Sequence, residues 1–139
     1  MPTGRSFRVA PNYINVYYNL ANLIQSDSTR TLEAYELYQK ALSMKPDFVE
    51  AHMNKGDLLL RMNKSVDAKL SFERALHYNP KYTDAHYNLA TAFVQLGERR
   101  EAERSYKRAL AMDHTHLYSL LSLGTLLHED GRLEEAKQL

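Results

Sequence analysis

The run Leu89-Ala90-Thr91-Ala92-Phe93-Val94-Gln95-Leu96-Gly97-Glu98-Arg99-Arg100-Glu101-Ala102-Glu103-Arg104-Ser105-Tyr106-Lys107-Arg108-Ala109 decides the fold. Leu89, Ala90 and Phe93, then Ala102, Tyr106 and Ala109, recur at three- and four-residue steps, the spacing that lines up one face of an α-helix. Gly97 stands between the two periodic halves, where a chain leaving a helix takes a left-handed residue. The run reads as helix, turn, helix.

The same pattern returns along the chain at a step of 34 residues. Ala34, Ala68, Ala102 and Ala136 hold one phase; Ala41, Ala75 and Ala109 hold a second; Leu42, Leu76 and Leu110 follow them. Tyr38, Phe72 and Tyr106 supply an aromatic at another phase, and Ala21, Gly56, Ala90 and Gly124 a small residue at yet another. Pro11, Pro46 and Pro80 punctuate the units. The period predicts helices near 14–27, 31–44, 49–62, 65–78, 83–96, 99–112 and 117–130, with a last one from 133 onward. Gly131 and Asn63 stand where Gly97 does, and Asp47 with Glu50 has the spacing of a capping box. Small residues at two phases let paired helices approach, and the aromatic fills the space beside them.

This pattern resembles the tetratricopeptide repeat. With Val49 as position 1, Gly56 falls at 8, Ala68 at 20, Phe72 at 24, Ala75 at 27 and Pro80 at 32. The expected fold is all-α, a superhelix of helical hairpins (an α-solenoid). The expected units are residues 14–48, 49–82, 83–116 and 117–139, after the end of a preceding repeat and a linker at 1–13. Departures occur at position 4, which is Tyr17, then His52, His86 and Leu120, and at His114, which replaces a proline. Leu139 is position 23 of the fourth unit, and Ser6 to Pro11 match the tail of an earlier one, so the chain reads as a slice of a longer solenoid with a frayed final helix.

Composition narrows the function. Of 139 residues, 44% are hydrophobic and 25% charged, which suits a globular chain rather than a disordered tail. Eighteen Lys and Arg balance 17 Asp and Glu, so neither a nucleic-acid footprint nor a polybasic membrane anchor is expected. There is no Cys, which excludes disulfides, thiol nucleophiles and cysteine-ligated metals. Six His invite a metal reading. His52 and His86 occupy a packing position, however, and His114-Thr115-His116 lacks a third ligand at fixed spacing, so no metal site and no cofactor are expected. Arg99, Arg100, Arg104, Lys107 and Arg108 interleave with Glu98, Glu101 and Glu103, as on a solvated outer face. Glu33, Asp67, Glu101 and Glu135 near the starts of second helices, and Lys40, Arg74 and Arg108 near their ends, complement the helix dipole. No nucleophile–base pair, phosphate loop or carboxylate pair stands out, so no catalytic residue is expected here.

Binding is the function such arrays suit. Stacked hairpins present the first helix of each pair to a concave groove. Groove positions in the repeat family correspond here to Tyr18, Asn19, Asn22, Met53, Asn54, Asp57, Arg61, Tyr87, Asn88, Thr91, Gln95 and Ser122, with Leu121 and Thr125 beside the last. Asn19, Asn54 and Asn88 recur at position 6, with Ser122 ending the series. Asn is a mediocre helix former, so propensity does not explain the series. An amide ladder would hold the backbone of an extended peptide whatever its side chains. Asn63-Lys64-Ser65 is an N-glycosylation tripeptide at a turn.

A closer resemblance lies in Ala10-Pro11-Asn12-Tyr13-Ile14-Asn15-Val16-Tyr17-Tyr18-Asn19-Leu20-Ala21-Asn22-Leu23-Ile24, in Ala41-Leu42-Ser43-Met44-Lys45-Pro46-Asp47-Phe48 and in Leu58-Leu59-Leu60-Arg61-Met62-Asn63-Lys64. These stretches, and an extra residue near Ser28-Thr29-Arg30, resemble the C-terminal repeats of the transmembrane and TPR repeat-containing proteins. The resemblance implies an endoplasmic-reticulum membrane protein. It further implies an O-mannosyltransferase that uses dolichyl-phosphate mannose, takes cadherin-type acceptors and carries its catalytic residues in a membrane part that these residues do not include. On that reading the array is the lumenal acceptor-binding part, it makes no membrane contact itself, and its groove takes an extended or folded protein segment. Two alternatives stand beside it. One is a cytosolic scaffold or co-chaperone array that grips a C-terminal carboxylate. Asn22 and Asn54 suit that clamp, but Tyr18, Asp84 and Asn88 stand where its cations belong. The other is a peptide-binding array similar to that of the O-GlcNAc transferase, which shares the asparagine series.

Overall fold

A computed structural model describes residues 12–139. Among them are eight α-helices: α1 Asn12–Ile24, α2 Thr31–Met44, α3 Val49–Arg61, α4 Ser65–Tyr78, α5 Thr83–Gln95, α6 Arg99–Met112, α7 Leu117–Glu129 and α8 Leu133–Lys137. The period placed their starts within two residues; the predicted ends of the first helices run on into the turns. Residues 1–11, expected to end an earlier repeat and lead into the array, lie outside the described part. Each helix packs on the next in sequence, and α3 also touches α5, so first helices of successive units meet across the array. This is the all-α tetratricopeptide solenoid.

The small residues act as the pattern implies. Ala21, Ala34, Ala68, Ala90 and Ala102 are fully buried, so the hairpin helices meet backbone to backbone. Beside them Tyr38 and Phe72 are completely enclosed and Tyr106 nearly so. One core cluster joins Ala21, Ile24, Ala34, Tyr38 and Leu58; a larger one runs from Met53 and Phe72 through Phe93 and Tyr106 to Leu127.

Three of the turns within hairpins share one geometry. Asn63, Gly97 and Gly131 have φ of 61°, 77° and 78°. The amides of Lys64, Glu98 and Arg132 donate to the carbonyls of Leu59, Phe93 and Leu127 at 2.8, 2.9 and 2.8 Å, closing Schellman caps. The first hairpin turns differently. Its extra residue is absorbed in a 3-10 turn, Ser28–Arg30, which Asp27 caps by accepting from the Thr29 amide. The capping box read from Asp47 and Glu50 is not formed. The N-cap of α3 is Phe48, extended and without a side-chain bond, because Asp47 falls one residue too early. The acidic first turns of the second helices are present, whereas Lys40, Arg74 and Arg108 all stop short of the last turn, where α4 alone of the three has a basic residue, His77.

Arg99, Arg104 and Lys107 of the arginine-rich stretch of α6 are paired. Arg104 meets Glu101 at 2.6 Å and Lys107 meets Glu103 at 2.8 Å. Arg99 reaches Asp130 at 2.8 Å and Glu129 at 3.0 Å, tying α6 to the end of α7. Arg132 grips Glu103 through both nitrogens, and with Lys107 it holds the Glu103 carboxyl down at about 2.

Gly56 shows how tight the hairpin is. A Cβ there would lie 2.5 Å from Cε1 of the enclosed Phe72 ring. At the equivalent Gly124 a Cβ would meet only Leu139, at 3.7 Å. Replacing a helical Gly by Ala ordinarily gains about 0.8–1.0 kcal/mol, while overpacking costs about 1–3 kcal/mol. Urea unfolding should therefore show Gly56→Ala destabilised and Gly124→Ala stabilised; equal shifts at the two sites would contradict this packing.

Candidate functional site

The groove is built from α1, α3, α5 and α7. Its walls are ordered by a polar network that spans two units. The Asn54 amide nitrogen donates to the Tyr18 hydroxyl and to Asn22 Oδ1, both at 3.0 Å. The Tyr38 hydroxyl donates to the same Asn22 oxygen at 2.5 Å. Asn54 therefore uses both amide hydrogens inside the protein and keeps its carbonyl oxygen. Asn19 is exposed and Asn88 half-buried, and neither bonds through its side chain to another described residue. The three asparagines of the series thus stand in different states.

The remaining groove residues are also placed by contacts. Met53 is buried beneath the floor. Asp57 and Arg61 pair at 3.6 Å, and Arg61 donates to the Gln25 carbonyl at 3.1 Å, bridging α3 to the end of α1. Thr91 donates to the Tyr87 carbonyl at 3.2 Å, Gln95 accepts from Ser65 at 2.7 Å, and Ser122 lies half-buried beside the Tyr106 hydroxyl.

Between α3, α5 and α7 the groove deepens into a hollow of about 330 Å³. It gathers the expected Met53, Asn54, Asp57, Tyr87 and Asn88. It also holds Tyr82, Asp84, His116 and Tyr118, which were not among the expected groove residues. Tyr18, Asn19, Asn22, Arg61, Thr91, Gln95 and Ser122 lie outside it. A neighbouring hollow of about 290 Å³ takes in Ser122 with Leu121 and Thr125. The missed residues had a signal in the sequence. Phe48, Tyr82 and His116 repeat at the 34-residue step, each as the extended N-cap of a first helix. Two of these rings pack on groove tyrosines, Phe48 on Tyr18 at 4.6 Å and His116 on Tyr87 at 5.5 Å between centroids, and Tyr82 lines the hollow.

His116 is a structural hinge of this wall. The Ser119 amide donates to its Nδ1 at 3.3 Å, so the proton sits on Nε2, which donates to Asp84 Oδ1 at 3.0 Å. Burial, then the charges of Asp84 and Glu50, hold the Tyr82 hydroxyl above its usual pKa. A third hollow, about 520 Å³, lies on the second-helix side among α2, α3 and α4, where Lys55 donates to Gln39 at 2.7 Å.

His52 and His86 are buried, and both direct Nε2 to the carbonyl of the proline six residues earlier, Pro46 at 2.7 Å and Pro80 at 2.9 Å. A carbonyl accepts, so Nε2 carries the proton in each. Their Nδ1 atoms are buried without partners. The next unit loses both halves of the pair, with Leu120 for the histidine and His114 for the proline.

Four tetratricopeptide-repeat family models match the chain, over residues 14–48, 37–69, 66–104 and 87–138. Among solved structures, that of MamA superposes with a TM-score of 0.85 at 20% identity, covering 97% of this chain and 78% of that one. The first TPR of Spaghetti (RPAP3) bound to HSP90 peptide SRMEEVD gives 0.82 at 20% identity, covering 88% and 97%. YrrB, described as a TPR protein with an unusual peptide-binding site, gives 0.74 at 28% identity, covering 86% and 61%. The chain is a tetratricopeptide-repeat array, a protein-interaction module. It is 55% identical over 62 residues to human protein O-mannosyl-transferase TMTC3 and 50% identical over 58 residues to the Drosophila melanogaster Tmtc3. Those matches cover 45% and 42% of this chain, and they span 7% and 6% of the relatives' length. Together with the repeat matches they support a repeat region of the TMTC type. No helix among the described residues is long and apolar enough to cross a membrane.

Burial holds the His52 pKa below its ordinary value of 6.5, since a proton on Nδ1 would find no acceptor. The unfolded chain then binds the proton more readily than the folded one, so stability is intact above pH 6.5 and falls as the pH drops through the folded pKa. Unfolding in urea at pH 7.5 and 5.5 should show this loss, and His52→Leu, the residue that the fourth unit carries there, should shrink it. An unchanged difference would contradict the burial argument.

Proposed function

We propose that this array is the lumenal acceptor-binding part of an endoplasmic-reticulum protein O-mannosyltransferase that uses dolichyl-phosphate mannose. Its repeat units would run 14–48, 49–82, 83–116 and 117–139. The family supports the transferase context, and the described residues supply repeats rather than a reaction centre. The observation that carries the reading is the groove itself. The Asn19 and Asn88 amides bond to no other described residue and Asn54 keeps its carbonyl oxygen, on the same first helices that carry Tyr18 and Tyr87. Amides pair with the N–H and C=O of an extended chain irrespective of its side chains, and tyrosines add contact area at low entropic cost. A module that presents many sites on acceptors of cadherin type needs such tolerance.

A cytosolic carboxylate-gripping array is disfavoured by the same groove. Tyr18 is committed to Asn54, Asp84 to His116, and the central hollow carries two carboxylates where an acidic chain end would need cations.

The asparagines separate binding from stability. Asn19→Ala with Asn88→Ala removes two neutral hydrogen bonds to the ligand and should weaken binding of an unfolded cadherin-domain strand peptide by about 1–3 kcal/mol in calorimetry, leaving the melting temperature unchanged. Asn54→Ala breaks the network to Tyr18 and Asn22 and should also lower stability. Equal affinity in the double variant would overturn the backbone-holding reading.

Asn63 bears on the compartment. Its exposed side chain heads the tripeptide Asn63-Lys64-Ser65 at a turn where its left-handed backbone already ends α3. A lumenal array would carry a glycan there. Mass spectrometry of protein taken from secretory-pathway membranes should find Asn63 occupied; occupancy of zero would count against the lumenal side.

A further inference from the structure

The hollow between α3, α5 and α7 has a chemistry that backbone pairing does not use. Two carboxylates line it, Asp57 from α3 and Asp84 from α5, with side chains 55% and 63% exposed. Three phenol rings surround them, Tyr82, Tyr87 and Tyr118, the last with 66% of its surface exposed and its centroid 6.0 Å from that of Tyr87. Neither Lys nor Arg lines the hollow. Arg61 pairs with Asp57 from the same helix at 3.6 Å and spends a second nitrogen on the Gln25 carbonyl. His116 fixes Asp84 from the third side without adding a second acceptor, because its Nδ1 already takes the Ser119 amide. At about 330 Å³ the space is at the low end of ligand pockets, roughly 300–1,000 Å³. It admits one long side chain rather than a folded element.

We propose that this hollow is a specificity pocket for a basic side chain, Lys or Arg, of the segment that lies in the groove. The aliphatic stem passes between Tyr82 and Tyr118, whose ring faces attract a cation, and the charged head meets Asp57 and Asp84. Asn88 and the free oxygen of Asn54 hold the backbone on either side. The proposal rests on the groove reading above and adds a sequence requirement to it. The array accepts many chains, provided that one residue in register with α5 is basic.

A phage-displayed random dodecapeptide library panned on the 139-residue chain tests it. Selected peptides should share a Lys or Arg at one position, and replacing that residue by norleucine in a synthetic copy should weaken binding about tenfold. Asp57→Asn with Asp84→Asn keeps the side-chain shapes and the acceptor for His116. It should abolish the basic preference without changing the circular dichroism melt. Asp57→Lys with Asp84→Lys should turn the preference to acidic residues, which a merely structural role of the two aspartates would not do. Peptides that bind without a basic residue, or that bind the Asp57→Asn, Asp84→Asn variant equally well, would overturn the pocket while leaving the groove reading intact. Failure to select any peptide would overturn both.

Discussion

The fold depends on one close approach, a helix backbone laid against an aromatic ring. Phe72 is fully enclosed because Gly56 has no Cβ, and the ring stands where that atom would be. In the first and third hairpins alanines bring the helices together, and Tyr38 and Tyr106 take the ring's place. Everything in the groove follows from this spacing. When the second helix lies tight against the first, the first helices of neighbouring units come close enough for Asn54 to reach Tyr18 and Asn22. A looser hairpin would separate those groups and leave their polar atoms to water.

The stack uses two kinds of joint. Apolar joints carry the hairpins, where burial needs no particular partner atoms. Polar joints fix one unit to the next: His52 and His86 against the proline carbonyls, Arg61 against Gln25, and Arg132 against Glu103. A solenoid can slide or twist at its unit boundaries while keeping every hairpin intact, so directional bonds belong there. At the boundary before α7 both are replaced, His114 standing for the proline and Leu120 for the histidine.

The helices and hairpins were legible because a period is a local statement. Ala68 needs its neighbour four residues on and its counterpart one turn of the repeat away, and both are written in the chain. The groove was legible only in part. Position counting found Asp57, Tyr87 and Asn88, since a helix face is also local. It did not find Tyr82, His116 and Tyr118 as groove residues. Phe48, Tyr82 and His116 keep the 34-residue step, but they stand before the first helical residue, outside the span where a 3.6-residue rhythm says which way a side chain points. Their direction comes from the extended backbone at each N-cap, which depends on how the preceding loop returns from the second helix. The capping box failed for a related reason: Asp47 has the right spacing to Glu50, but the loop places Phe48 at the cap.

The asparagine series shows why a repeated residue is not a repeated role. Asn19, Asn54 and Asn88 share a position, and Asn54 is drawn into the wall because Tyr18 and Asn22 precede it by one unit. The residue that precedes Asn88 where Tyr18 precedes Asn54 is Met53, which offers no oxygen. Asn88 is left unsatisfied by its own array and faces the hollow with Asp84 and Tyr87. Two residues of the first helix differ between these units, Met53 for Tyr18 and Asp57 for Asn22, and the bonding of the next unit's amide differs with them. Differences between units, rather than the repeat itself, create a local site in an array whose scaffold is the same throughout.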